Sequence, residues 1–356
     1  MSTLFSSVSL GRYTLNNRMV MAPMTRSRSD DQTGVLTDLV PTYYRQRAGA
    51  GLIITEGVFP SAMGKGYVRT PGIETDAQVA AWKQVTEAVH AQGGRIFMQI
   101  MHSGRISHPS MLPGGATPVA PSAITPAGQS YTSTGPQSFV QPRALRLEEI
   151  PEVIGEYRRA ARRALEAGFD GVELHAASGY LPEQFLSSNT NTRTDAYGGS
   201  LENRARFILE TLAALVDEVG SDRVGIKISP EMGFNDIKDA NPRETYRYLV
   251  EQLAPLKPAY LHVATFGPQF DSYHTTFRAL FQGTYLRGGS LTQQSAEAVL
   301  KNGEADAVVF GALFLANPDL PERFRANAPL NAPDKQTFYS AGPQGYIDYP
   351  RLSTEG

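Results

Sequence analysis

Short apolar runs alternate along the chain with amphipathic stretches. The runs are RMVMAPMT at 18–25, GLIITEG at 51–57, RIFMQIMH at 95–102, GVELHAA at 171–177, VGIKISP at 224–230, YLHVATFG at 260–267, TYLRGG at 284–289 and ADAVVFG at 305–311, eight in all. Most carry Val and Ile on both faces, as strands of a parallel sheet covered by helices must. Between them, apolar residues recur at helical spacing. Val79, Trp82, Val85 and Val89 mark a helix over 77–91 that stops at Gly93-Gly94. Ile150, Ile154, Tyr157, Ala161 and Ala164 mark another over 149–167, with Arg158, Arg159, Arg162 and Arg163 mostly off the stripe and Gly168 at the end. Ser200 caps a third, carrying Ala205, Ile208, Leu212 and Leu215, and further helices are expected at 37–48, 243–254, 291–302 and 318–326.

Eight strand–helix alternations predict a (β/α)8 TIM barrel. The competing doubly wound fold calls for a glycine-rich fingerprint after its first strand, and Ala22-Pro23-Met24-Thr25 is not one. Val8, Leu10, Tyr13 and Leu15 flank a turn at Gly11, so an N-terminal hairpin is expected to cap the barrel. The stretch 103–146 is rich in Gly, Pro, Ser and Thr and shows no helical pattern. It is expected to be a long loop after strand 3, lying over the catalytic face as a lid. The whole chain, 1–356, reads as one domain, with the barrel core at about 17–327.

Composition narrows the chemistry. Lys plus Arg number 33 and Asp plus Glu 35, a formal net charge of −2 without a basic tract, so no nucleic-acid partner is expected. With Cys at 0, disulfides, cysteine nucleophiles, thiolate clusters and thiolate zinc sites are excluded. The start, MSTLFSSVSLGRYTLNNR, lacks a signal-peptide pattern, and no apolar window is long enough to cross a bilayer. A cytoplasmic protein without a membrane partner is expected.

A barrel of this kind carries its chemistry at the carboxyl ends of its strands. Those ends hold Thr25, Gly57, Gln99 with His102, His175, Lys227, His262, Gly288-Gly289 and Gly311. Ser178 and Tyr180 follow His175 closely. One reading is a pair of donors gripping an oxygen with a phenolic proton donor beside them; the other is a core histidine and a loop tyrosine. The six histidines form no HxxxH or HExxH pair, so no metal site is expected, although His102, His175 and His262 could meet in space. No GxSxG is present. Gly288-Gly289 and Gly311, at the ends of strands seven and eight, together suggest a phosphorylated ligand such as FMN or a sugar phosphate, each glycine alone being explicable as a turn.

Longer blocks carry a family resemblance. LNNRMVMAPMTRSR at 15–28, GKGYVRTPGI at 64–73, GGRIFMQIMHSGRISHP at 93–109, GFDGVELHAASGYLPEQFLSSNTNTRTDAYGGSLENRARF at 168–207 and FYSAGPQGYIDYP at 338–350 closely resemble the old yellow enzymes, FMN-dependent alkene reductases that include N-ethylmaleimide reductase. The resemblance implies a noncovalent FMN reduced by NAD(P)H, with NADPH preferred over NADH. It implies a small electron-poor alkene or nitro substrate, and a monomer or homodimer. It places Pro23, Met24, Thr25, Gly57 and Gln99 against the flavin ring, with Lys227 where the family has Arg, and Gly288, Gly289 and Gly311 around the phosphate. His175 and Ser178 take the positions of the substrate-oxygen donors and Tyr180 that of the proton donor. Tyr67 and Tyr346 resemble walls of the substrate channel.

Three positions depart from the family pattern. Ser178 replaces Asn or His, Met101 replaces a large Trp, and Ala312 replaces a phosphate-clamping Arg. Arg287, beside Gly288, is a candidate replacement for that clamp, the alternative being a solvated arginine at a strand end. These departures leave two alternatives to alkene reduction: a nitro-compound or nitrate-ester reductase of the same family, or a flavin-binding paralogue with weak reductase activity.

Overall fold

Alternate residues of a strand point to opposite sides, so a barrel built from these runs must sort each of them into an inner and an outer set. The computed structural model, which describes residues 3–352, shows that sorting. Eight parallel strands close into a barrel: β1 (Met19–Met21), β2 (Leu52–Val58), β3 (Ile96–Ile100), β4 (Gly171–His175), β5 (Val224–Ile228), β6 (Tyr260–Ala264), β7 (Thr284–Gly288) and β8 (Ala307–Phe310). Val20, Leu52, Ile54, Phe97, Tyr260, Leu286, Ala307 and Val309 fill the barrel interior at its lower end. Gly225 makes room there, because a Cβ at that position would strike the Tyr260 ring. A larger cluster, including Trp82, Tyr157, Leu212 and Leu249, lies between barrel and helices.

The N-terminal hairpin, Val8–Leu10 against Tyr13–Leu15, joins the inner cluster through fully buried Leu10 and Leu15. It stoppers the lower end, each leucine contributing roughly 1.5–3 kcal/mol by leaving water. The helices fall within two residues of their expected bounds: Leu39–Gln46, Asp76–His90, Ile150–Glu166, Leu201–Val219, Pro242–Leu253, Gln293–Lys301 and Leu320–Ala326. Ser200 caps Leu201–Val219 by accepting from the Asn203 N–H, and Thr75 with Gln78 closes a capping box on Asp76–His90.

Two expectations change. A helix over Asp271–Leu280 follows β6 where none was expected. Its inward face is partly polar: His274 is buried and bonded to Thr265 (2.8 Å) and to the Tyr285 hydroxyl (2.8 Å), which breaks the apolar stripe. The excursion at 103–146 is not a bare loop. It holds a hairpin, Gln129–Thr132 with Gly135–Ser138, and a short parallel pair, Val119–Ala120 with Arg143–Ala144. Arg105, 1% exposed, donates to the carbonyls of Ile124, Asn235 and Asp236 and ties the excursion to the barrel top. Residues 1–2 and 353–356 of the expected domain lie outside the described residues.

Candidate active site

At the upper end of the barrel the inner set turns polar, and the strand register says why these groups meet. Gln99 and Glu173 are Cα partners on β3 and β4; His175, Lys227 and His262 are partners across β4, β5 and β6. Partners on parallel strands face the same way, and Glu173 and His175 are two residues apart. All five therefore project inward. Glu173, fully buried, accepts from Gln99 Nε2 (2.7 Å) and meets His262 Nδ1 at 3.0 Å. With one amide hydrogen committed to Glu173, Gln99 has its carbonyl oxygen and its second amide hydrogen to offer a ligand. The half-buried Lys227 ammonium makes no ion pair or hydrogen bond among the described residues; burial lowers its pKa, and the nearby Glu173 opposes that shift.

Above this row opens a cavity of about 1050 Å³. That is at the upper limit of the roughly 300–1,000 Å³ usual for small-molecule sites, large enough for a cofactor and a substrate together. Pro23, Met24, Thr25, Gly57, Gln99 and Lys227 line it, as do Gly288 and Gly289 at the end of β7 and Gly311 and Ala312 just after β8. A Cβ on Gly57 would come within 2.6 Å of the Met101 sulfur, so glycine there and methionine at 101 fit each other. Gly289, at φ +145°, lets the chain leave β7 where a side chain would press on the Thr265 carbonyl.

The residues after β4 form another part of the wall, between the strands that carry Gln99 and Lys227. Ser178 (φ +59°) and Gly179 (φ +76°) are two successive left-handed residues, which reverse the chain sharply. The Ser178 N–H donates to Ser229 Oγ (2.8 Å), and Asn235 Nδ2 donates to the Ser178 carbonyl (2.7 Å). The turn brings the Tyr180 ring edge-on to His175, with centroids 4.8 Å apart. The Tyr180 hydroxyl lies 2.9 Å from that of Tyr67. His175 is held neutral, its pKa lowered well below the usual range by burial and then by Lys227 and His262. Its Nδ1 has no partner among the described residues. Burial holds the Tyr180 phenol well above its ordinary pKa, so it keeps its proton. Ser178 also reaches the cavity, but its hydroxyl is directed at Met232 Sδ, 3.6 Å away.

Two expectations are corrected. Arg287 does not line the cavity: Gly288 faces inward, so the residue before it must face outward. Its guanidinium is bound to Glu304 (2.6 Å) and Asp271 (2.6 Å), and it does not replace the missing clamp at Ala312. Tyr346 is not a channel wall either. It is fully buried behind the cavity, stacked on Tyr43 at 4.1 Å with Arg26 and Arg28 over its ring. Phe338 and Tyr339, from the same C-terminal segment, line the cavity instead, and Tyr131 reaches it from the excursion hairpin. Tyr67 and Met101 line the cavity. His102 does not join His175 and His262; its Nδ1 accepts from the Gly104 N–H (3.0 Å). Among the described residues no three His, Asp or Glu side chains are grouped to hold a metal ion. Sequence reading missed Glu173, although its position two residues before His175 on an inward-facing strand was the available signal.

Known proteins resemble this chain in sequence and fold. Residues 3–331 match the NADH:flavin oxidoreductase / NADH oxidase family. Among curated relatives, 12-oxophytodienoate reductase 1 of Oryza sativa subsp. japonica is 43% identical, covering 98% of this chain and 93% of its own. Among solved structures, morphinone reductase in complex with tetrahydroNAD superposes with a TM-score of 0.94 at 46% identity, over 99% of both chains. The old yellow enzyme homologue of Zymomonas mobilis gives 0.94 at 39% identity, over 98% of this chain and 100% of its own. The chain belongs to the NADH:flavin oxidoreductase / NADH oxidase family, and within it to the old yellow enzymes, oxidoreductases that use a flavin and a nicotinamide reductant on C=C bonds.

Proposed function

We propose that the protein is an NAD(P)H-dependent FMN ene-reductase for enones, enals, maleimides and nitroalkenes. The observation that carries this reading is the meeting of His175 and Tyr180 on one cavity wall, edge to face at 4.8 Å, the imidazole neutral and the phenol protonated. A substrate oxygen held by His175 draws electron density out of the conjugated alkene. In this reading the Tyr180 hydroxyl, on the same turn, gives the proton that its α-carbon needs. Ser178 is the second oxygen donor in this reading. To serve, its hydroxyl rotates away from Met232 or works through a bridging water.

The rest of the cavity lining suits FMN. Pro23, Met24 and Thr25 would hold the ring, with Gly57 and the Gln99 carbonyl at its polar edge, and Gly288, Gly289 and Gly311 would surround the phosphate. Lys227 would stabilise negative charge on the reduced ring as a point cation, without the two-pronged geometry of arginine. The chemistry supplied by FMN, when bound, is transfer of a hydride from the nicotinamide to the β-carbon of the alkene. NADPH as the preferred reductant rests on the family resemblance alone, and parallel kcat/KM values for NADPH and NADH test it. The decisive assay is turnover of the FMN-loaded protein with 2-cyclohexenone beside a nitrate ester. The proposal expects the enone to be the better substrate; preference for the nitrate ester would move the function to nitro-compound reduction.

A further inference from the structure

Glu183 is a buried carboxylate that the chemistry above does not use. It lies in the short helix Leu181–Leu186, directly after Tyr180, and is 2% exposed. No cation pairs with it among the described residues, an arrangement that carboxylates seldom adopt because burial without a counter-charge is costly. Its two oxygens do have donors. Oε2 accepts the Gly179 N–H at 2.6 Å, and Oε1 accepts the hydroxyl of Tyr246, from the helix Pro242–Leu253. Gly179 is the second of the two left-handed residues that turn the chain between His175 and Tyr180. The same turn is closed from the other side by Gln184 Nε2 donating to the Gly179 carbonyl (2.8 Å).

We propose that Glu183 is a positioning residue whose carboxylate, anchored on Tyr246, holds the Gly179 N–H and so sets where the Ser178 and Tyr180 hydroxyls meet substrate. The inference rests on the ene-reductase reading of this cavity. An ionised carboxylate accepts both donors at once through charge-assisted bonds. A protonated one accepts the Gly179 N–H through its carbonyl oxygen and donates its own proton to the Tyr246 oxygen, so both anchors persist only as weaker, neutral bonds. The groups bearing on its ionisation are burial, which pushes the carboxyl up to about 7, then Tyr246 and Gly179, which lower it, and Asp239, which raises it. The turn is therefore held most firmly above neutral pH and loosens below it.

The test combines the pH profile of alkene turnover with amide exchange in the FMN-loaded protein. In the wild type, kcat for 2-cyclohexenone should fall as pH drops through about 7. Protection of the Gly179 amide, corrected for the intrinsic exchange rate, should fall over the same range. In Glu183→Gln, which holds the neutral form's hydrogen bonding at every pH, both pH dependences should vanish. Its kcat should sit about tenfold below the wild-type plateau, the size expected when a charge-assisted bond becomes a neutral one. Tyr246→Phe removes a bond that lowers the Glu183 pKa, so it should move both profiles to higher pH; it also serves if the Gln variant folds poorly. A Gly179 protection profile identical in wild type, Glu183→Gln and Tyr246→Phe would overturn the positioning role. A wild type that turns over no alkene while showing the expected exchange behaviour would instead overturn the ene-reductase reading and leave the anchoring of the turn intact.

Discussion

The hydroxyl of Tyr67, from the loop after β2, lies 2.9 Å from the hydroxyl of Tyr180, their rings perpendicular with centroids 6.2 Å apart. Tyr180 is buried and Tyr67 half-buried, and both have raised pKa values, chiefly through desolvation. A proton given up by Tyr180 leaves a phenolate in a site of low polarity, and the Tyr67 hydroxyl is placed to stabilise it. Tyr67→Phe should therefore slow alkene reduction by roughly tenfold, the worth of one hydrogen bond to a charged group. Reduction of the flavin by NADPH should be little affected. Stopped-flow separation of the two half-reactions checks this; equal slowing of both would point to a general distortion of the site.

Ser178 occupies a left-handed position that asparagine tolerates better than serine. An asparagine amide also reaches farther than a hydroxyl turned toward Met232. Ser178→Asn should tighten binding of a phenol ligand, and it should raise kcat/KM for enones by about tenfold, one recovered donor to a developing enolate being worth on the order of 1–3 kcal/mol. A titration and steady-state assay that find neither effect would remove Ser178 from the oxygen-binding pair.

Ala312 and Arg287 make opposite predictions for the cofactor. Ala312 lines the cavity just after β8 without a charge, whereas Arg287 is committed outside the barrel to Asp271 and Glu304. Ala312→Arg should tighten FMN by about tenfold through a charge-assisted phosphate contact. Arg287→Ala should leave FMN affinity within a factor of two or so, as expected for a residue with no ligand contact. Quenching of flavin fluorescence on binding measures both; a large loss of affinity in Arg287→Ala would contradict the placement of that side chain.

His102 provides a pH-dependent test of the fold. Burial lowers its pKa from 6.5 to about 4, and the Gly104 N–H occupies Nδ1. Between these values the unfolded chain binds a proton that the folded protein refuses. The contribution is therefore fully present above pH 6.5 and is lost as pH falls through about 4. Over that window it is worth on the order of 3 kcal/mol. His102→Gln should flatten the acid limb of stability between those values. Urea midpoints measured across the range check it; an acid limb as steep as the wild type's would assign the loss to other groups.

The barrel was legible because its strands are predominantly apolar and most of its helices carry clear stripes. The helix Asp271–Leu280 was not, because His274 makes its inward contact through hydrogen bonds. Within the site, the residues ending each strand were legible from the barrel rule alone. Strand alternation also separates Arg287 from Gly288 and joins Glu173 to His175, a consequence visible in the sequence once the inner face is known. Tyr346 and Tyr339 are different in kind. Which of two nearby tyrosines in an irregular segment faces the cavity depends on where Arg26 and Arg28 fasten that segment, through the carbonyls of Thr337, Phe338, Gln344 and Gly345, and no periodicity encodes it.

The central claim is that Tyr180 protonates an alkene whose oxygen His175 holds, and a two-step anaerobic stopped-flow experiment tests it most directly. FMN-loaded wild type should bleach on mixing with NADPH and recover its yellow colour on mixing with 2-cyclohexenone. Tyr180→Phe should bleach at close to the wild-type rate and recover at least about tenfold more slowly, the usual range for loss of a general acid being 10²–10⁴. Recovery in Tyr180→Phe at the wild-type rate, or no recovery with the enone in the wild type, would contradict the account.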